Sequence, residues 1–96
     1  MKGKEKLAAI DSVFRALASA PRRQILLVLY NRGGSMTSME IADRFSCQWP
    51  TTTRHLRRLE ESGLVTVERK GREAVYTLNS ERLHEVAGDW LAAFNE

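Results

Sequence analysis

Apolar residues recur at helical spacing over most of this chain and switch to strict alternation in one stretch past its middle. Leu7, Ile10, Phe14 and Leu17 fall at intervals of three and four, which predicts a helix over about 4–18. Ser19 can then cap a second helix, and Pro21 is tolerated in its first turn, so that helix is expected over about 21–30. Its run from 25 to 30 is almost wholly apolar and is expected at the centre of the core, and Asn31-Arg32-Gly33-Gly34 stops it. Thr37-Ser38-Met39-Glu40 has the form of a capping box, in which hydroxyl and carboxylate satisfy each other's backbone donors. It opens a short third helix reaching about Phe45, with Met39, Ile41, Ala42 and Phe45 apolar. After the brief turn Ser46-Cys47-Gln48, a fourth helix is expected over about 49–62, with Gly63 as its stop.

Beyond Gly63 the period becomes two. Val65 and Val67 alternate with Thr66 and Glu68, Arg69-Lys70-Gly71-Arg72 interrupts, and Ala74-Val75-Tyr76-Thr77-Leu78 resumes as a strand. Gly71 can supply the positive φ of a tight turn. Asn79-Ser80 caps a last helix over about 81–94, striped by Leu83, Val86, Ala87, Trp90, Leu91 and Phe94. The fold class expected is therefore mainly α with a small β-hairpin: five helices and a two-stranded wing. A single winged helix-turn-helix domain is expected over 1–96, its helix-turn-helix at about 37–62 and its wing at about 64–78.

The fourth helix divides by angle. At 100° per residue Thr52, Leu56 and Leu59 point together toward a core, while Thr51, Arg54 and Arg58 form an outward row with Arg57 beside it and His55 on the flank. Short hydroxyls and guanidinium forks suit a helix lying in the major groove of DNA. Gln48 and Thr51, near the helix start, are best placed to enter the groove. Thr53, His55, Arg57 and Arg58 are counted with them, and Arg54 can either read a base or hold a phosphate. Arg69, Lys70 and Arg72 gather at the hairpin tip, where a wing meets the DNA backbone.

Charge strengthens this picture. The net charge is +3, but residues 1–32 hold seven bases against two acids, 54–72 six against three, and 80–96 one against four. A basic middle and an acidic tail suit a molecule with one face toward a polyanion. Ninety-six residues suit one compact domain whose modest core would gain from a partner subunit. No stretch approaches a membrane span, and the charged start is not followed by the apolar run of a secretory signal. One cysteine, Cys47, excludes an internal disulfide and fits a reducing cytoplasm.

The run VFRALASAPRRQIL at 13–26 resembles the opening of ArsR-type winged-helix repressors, which favour "LADPTRRxIL". PTTTRHLRRLEESGLV at 50–65 is similar to their "QPTVSRHLKVLREAGLV", and GREAVYTLN at 71–79 to their wing "GRxxYYRLN". The matches keep the family's order and spacing over nearly the whole chain. The resemblance implies a bacterial cytoplasmic, nucleoid-associated repressor that binds palindromic double-stranded operator DNA as a homodimer paired through its first and last helices. The expected interface is Leu7, Ile10, Phe14, Leu83, Val86, Ala87, Trp90, Leu91 and Phe94. Trp49 departs from the family, which has a smaller polar residue there.

Many family members sense metals, through an "ELCVCDL" site among others. In this chain Thr37 and Met39 stand where its two cysteines would be, which removes the thiolates a soft metal needs. A second family site, on the last helix, is matched by His84 alone, with Glu85 and Asp89 near it. No metal, cofactor or inducer is therefore assigned. His55 and His84 have no nucleophile or phosphate loop beside them, so no enzymatic activity is expected. Two other readings stay open: a metal- or redox-responsive repressor, the latter through Cys47, and a winged-helix protein-interaction module.

Overall fold

The first helix, α1 (Gly3–Leu17), buries Ala9, Val13 and Ala16, a row spaced by four and three along one face. The computed structural model describes residues 3–45 and 49–95, and of Trp49 and Pro50 the backbone alone. The stripe expected to lead α1, Leu7-Ile10-Phe14-Leu17, lies to one side of the buried row. Ile10, Phe14 and Leu17 are half-buried against the core and Leu7 is exposed.

Helix α2 (Ala20–Asn31) begins at Ser19, whose hydroxyl accepts from the Arg22 amide, with Pro21 in the first turn. Ile25, Leu26 and Leu29 are buried, but Leu27 and Tyr30 are 61% and 69% exposed. An unbroken apolar run on a helix cannot all face inward when the core covers one side. Arg22 and Arg23, one turn into α2, donate back to the carbonyls that α1 leaves open at its end. Arg22 Nε reaches the Ala16 oxygen at 2.8 Å, its Nη2 the Arg15 oxygen at 3.0 Å, and Arg23 Nη1 the Leu17 oxygen at 2.7 Å.

A short strand, β1 (Ser35–Thr37), follows, and then α3 (Ser38–Arg44). Thr37 forms the capping box: its hydroxyl accepts from the Glu40 amide at 3.1 Å, and its own amide donates to Glu40 Oε1 at 3.0 Å. Those bonds hold the Glu40 carboxyl below its usual range. The fourth helix is α4 (Trp49–Glu61). It closes with the Leu64 amide on the Leu59 carbonyl and the Gly63 amide on the Glu60 carbonyl, both at 3.0 Å, while Gly63 takes φ +80°. This is the paired-bond helix ending that a left-handed residue makes possible.

Strands β2 (Val65–Lys70) and β3 (Glu73–Leu78) form the hairpin, and β1 pairs along the far edge of β3. The sheet therefore has three antiparallel strands in the order β1-β3-β2, one more than the alternation foretold. Three residues are too few to show a period of two. Met36, Tyr76 and Val67 stand in register on the inner face, and Ser35 and Thr77 share a 2.9 Å hydroxyl bond on the outer one.

The last helix runs as α5 (Ser80–Leu83), a π-helical stretch over His84–Gly88, and α6 (Asp89–Ala92), with helical dihedrals at each junction. Its wider turn is marked by the Asp89 amide donating to the His84 carbonyl, five residues back. This stretch packs on α1, and Val86 and Ala87 are buried there within the chain itself. The stripe expected as a single dimer face is thus divided. Val86 and Ala87 belong to this chain's own core, and Leu83 is half-buried against it, while Trp90, Leu91 and Phe94 stay outside.

Candidate nucleic-acid interface

Helix α4 is anchored by a buried row and presents a cationic one. Thr52, Leu56 and Leu59 are each at most 1% exposed, as their angular spacing requires, and Ser62 continues the row past the helix end. Ser62 is satisfied locally, its hydroxyl donating to the Leu59 carbonyl at 2.8 Å. The helix packs on α2 and β2, which fixes which of its faces is turned outward. On that face Thr51, Arg54, Arg57 and Arg58 are exposed. Among the described residues one ion pair occurs, Lys70 with Glu68 at 3.7 Å. The α4 arginines therefore meet no carboxylate at ion-pair distance within the described part of the chain.

Two residues expected in the reading surface lie half-buried at its edges. Thr53 is half-buried, and its hydroxyl oxygen is shielded with no hydrogen-bond partner among the described residues. It lies between the buried and exposed rows, where the helix meets its neighbours. His55 is also half-buried, and Arg22 Nη1 of α2 meets its Nδ1 at 3.3 Å. A guanidinium can only donate, so Nδ1 is the acceptor and the ring proton sits on Nε2. Burial, then the charges of Arg22 and Arg54, push the His55 pKa down. The ring thus ties α4 to the start of α2. Gln48 and Cys47 lie outside the described residues, as does the side chain of Trp49.

The wing presents its cations as expected. Lys70 and Glu73 close the ladder, leaving Gly71 and Arg72 as a two-residue turn. Gly71 takes φ +60° and Arg72 does not have positive φ, the pattern of a type II′ hairpin turn. Arg69, Lys70 and Arg72 are all exposed at that tip. The solvated Lys70–Glu68 pair holds little of this charge in place.

Sequence reasoning missed Arg22. It counted there as one of the N-terminal bases, whereas its guanidinium joins three helices. Nothing local marks it, because its partners lie six, seven and thirty-three residues away. At the start of α3, Thr37 is engaged in its capping box and the neighbouring Met39 is exposed. His84, Glu85 and Asp89 are exposed on the last helix.

Comparison with known proteins agrees with this architecture. A family described as "Helix-turn-helix domain" matches residues 17–68. The chain is 33% identical over 85 residues to the transcriptional repressor SdpR of Bacillus subtilis (strain 168), covering 88% of this chain and 91% of that protein. Among solved structures, the ArsR family transcriptional regulator RHA00566 superposes with a TM-score of 0.79 at 30% identity, over 96% of this chain and 89% of the other. A homodimeric winged helix-turn-helix DNA-binding domain from Mycobacterium bovis, Mb0332, superposes with a TM-score of 0.74 at 26% identity, over 100% and 94%. These relatives are regulators and not enzymes. An outward cationic α4, a basic wing and likeness to these proteins over nearly its whole described length make the chain a member of the ArsR family of winged helix-turn-helix transcriptional regulators.

Proposed function

We propose that this chain is a cytoplasmic, dimeric repressor that occupies palindromic operator DNA and needs no metal to do so. The observation that carries this reading is the α4 surface, where Thr51, Arg54, Arg57 and Arg58 are exposed with no carboxylate partner among the described residues. Thr51 and Arg54 face base edges, while Arg57, Arg58 and the wing residues Arg69, Lys70 and Arg72 hold phosphates.

A second copy pairs on the apolar band of α1 and the last helix. Phe14 and Trp90 meet edge to face at 5.2 Å, and Trp90 and Phe94 lie 4.8 Å apart. Leu7, Leu91 and Phe94 extend this cluster into solvent, each more than half exposed. The relative Mb0332 is described as homodimeric, which supports the same assembly for this chain. The two reading helices then sit about 34 Å apart, one turn of DNA. Occupancy of Thr37 by its capping box supports metal independence.

Titration of labelled upstream DNA by fluorescence anisotropy tests this. Thr51→Ala with Arg54→Ala should weaken specific binding by about 2–6 kcal/mol, given roughly 1–3 kcal/mol per base contact. Affinity should fall steeply with salt, and zinc or cobalt should leave it unchanged. Unaltered affinity in the double variant removes α4 as the reader.

A further inference from the structure

A groove of about 690 Å³ opens between α1 and α4, and its lining is strongly cationic. Asp11, Ser12 and Arg15 of α1 line one wall, Arg54, His55, Arg58 and Glu61 of α4 the other, and Ala8, Ala16 and Arg22 also line it. Four arginines face two carboxylates, and none of the four is in an ion pair among the described residues. We infer that this groove binds a small multivalent oxyanion, a phosphate or polycarboxylate compound, and that its occupancy competes with DNA. The inference rests on the reading of α4 proposed above, because Arg54 and Arg58 belong to both surfaces.

Three features distinguish the groove from an ordinary basic surface. Arg22 is held in place by the Ala16 and Arg15 carbonyls and by His55, so its remaining N–H groups are pre-oriented with no acid at ion-pair distance among the described residues. The donation to Nδ1 fixes the His55 proton on Nε2, which makes that ring a further donor at the same wall. The groove also lies on the flank of α1 opposite the apolar band. Ala8, Ser12 and Arg15 fall to one side of the buried Ala9-Val13-Ala16 row and Ile10, Phe14 and Leu17 to the other, so a copy pairing on that band leaves the groove open. A fixed fork, a neutral ring donor and three exposed guanidinium groups make a concave site for an oxyanion with several oxygens. Drawing Arg54 and Arg58 inward takes them from DNA phosphates, and linkage makes the effect reciprocal.

The test uses the full 96-residue chain, labelled with ¹⁵N, and inorganic pyrophosphate and citrate as separate probes at ionic strength matched with potassium chloride. Expected are saturable shifts at Ser12, Arg15, Arg22 Nε and His55 Nε2, with the stronger probe separating phosphate from carboxylate preference. Ala8→Glu, which places a carboxylate in the groove, should weaken pyrophosphate about tenfold or more, and Arg15→Gln about threefold. Saturating anion should raise the DNA Kd of the wild type at least fivefold, and this response should shrink in Arg15→Gln. Shifts that chloride reproduces, or affinities unchanged in both variants, overturn the site. Saturable binding with unaltered DNA affinity overturns the competition. If the anion binds as expected while Thr51→Ala with Arg54→Ala leaves operator binding intact, the groove stands and the reading of α4 falls.

Discussion

Single side chains decide which part of α4 is turned outward. Thr51 and Thr53 are two positions apart and chemically identical, yet one is exposed and the other has a shielded hydroxyl with no partner among the described residues. Leaving a buried hydroxyl unsatisfied costs about 1–3 kcal/mol, and valine has the same shape without it. Thr53→Val should therefore raise the melting temperature by roughly 4 °C or more with DNA affinity unchanged; a lower melting temperature than the wild type's in thermal denaturation refutes this account of the site. His55 makes a second residue-scale case. Burial, Arg22 and Arg54 lower its pKa, with Asp11, Arg15, Arg58 and Glu61 lining the same groove. The unfolded chain thus binds the proton more readily than the folded one. The contribution is complete above about pH 6.5 and is lost as pH falls through that value toward the lowered folded-state pKa. Urea midpoints measured between pH 7.5 and 5 should decline less steeply in His55→Gln than in the wild type.

At the scale of elements, junctions matter more than the helices they join. The end of α1 is closed by two arginines of α2, and the end of α4 by Gly63 at φ +80°. A Cβ on Gly63 would meet Arg82 Nε at 3.1 Å, and Arg82 donates to the Ser62 carbonyl at 3.3 Å, so conformation and space both favour glycine. Gly63→Ala should cost about 1–2 kcal/mol from the left-handed backbone, measured as a lower urea midpoint with the slope retained. The capping box at Thr37, the glycine stop and the wing turn were all legible because each is a local pattern of a few residues. Strand β1 and the π-helical stretch were not. The first exists through pairing with β3, forty residues away in register, and the second departs from the 3.6 period assumed in reading its stripe.

For the whole molecule, the distribution of apolar surface points to assembly. The chain measures 44 × 24 × 23 Å, so it is elongated. Its exposed large apolar side chains on α1 and the last helix are Leu7, Trp90, Leu91 and Phe94. Contiguous exposed apolar groups mark interaction surfaces in soluble proteins. Leu91→Glu should shift sedimentation at micromolar concentration from dimer toward monomer, and operator affinity should fall with it. A dimer that survives this change, with Trp90 fluorescence unmoved, places the interface elsewhere. Two copies would also present paired cationic α4 faces, which is why DNA affinity and dimer stability should respond together.

The sequence by itself determined the helices, the hairpin and the inward row of α4, because periodicity, caps and turns act over a few residues. Its family motifs carried the expectation of a winged helix-turn-helix regulator, with which the fold and the relatives agree. The tertiary structure alone decided which members of a stripe are covered. Val86 and Ala87 went to the core and Leu91 and Phe94 to solvent, although all four lie on one predicted stripe. It also drew Arg22 and His55 into the junction of α1, α2 and α4, leaving beside α4 a cationic groove whose walls come from residues 8–22 and 54–61. Burial and charge convergence depend on distances between segments far apart in the chain, and a local pattern does not contain those distances.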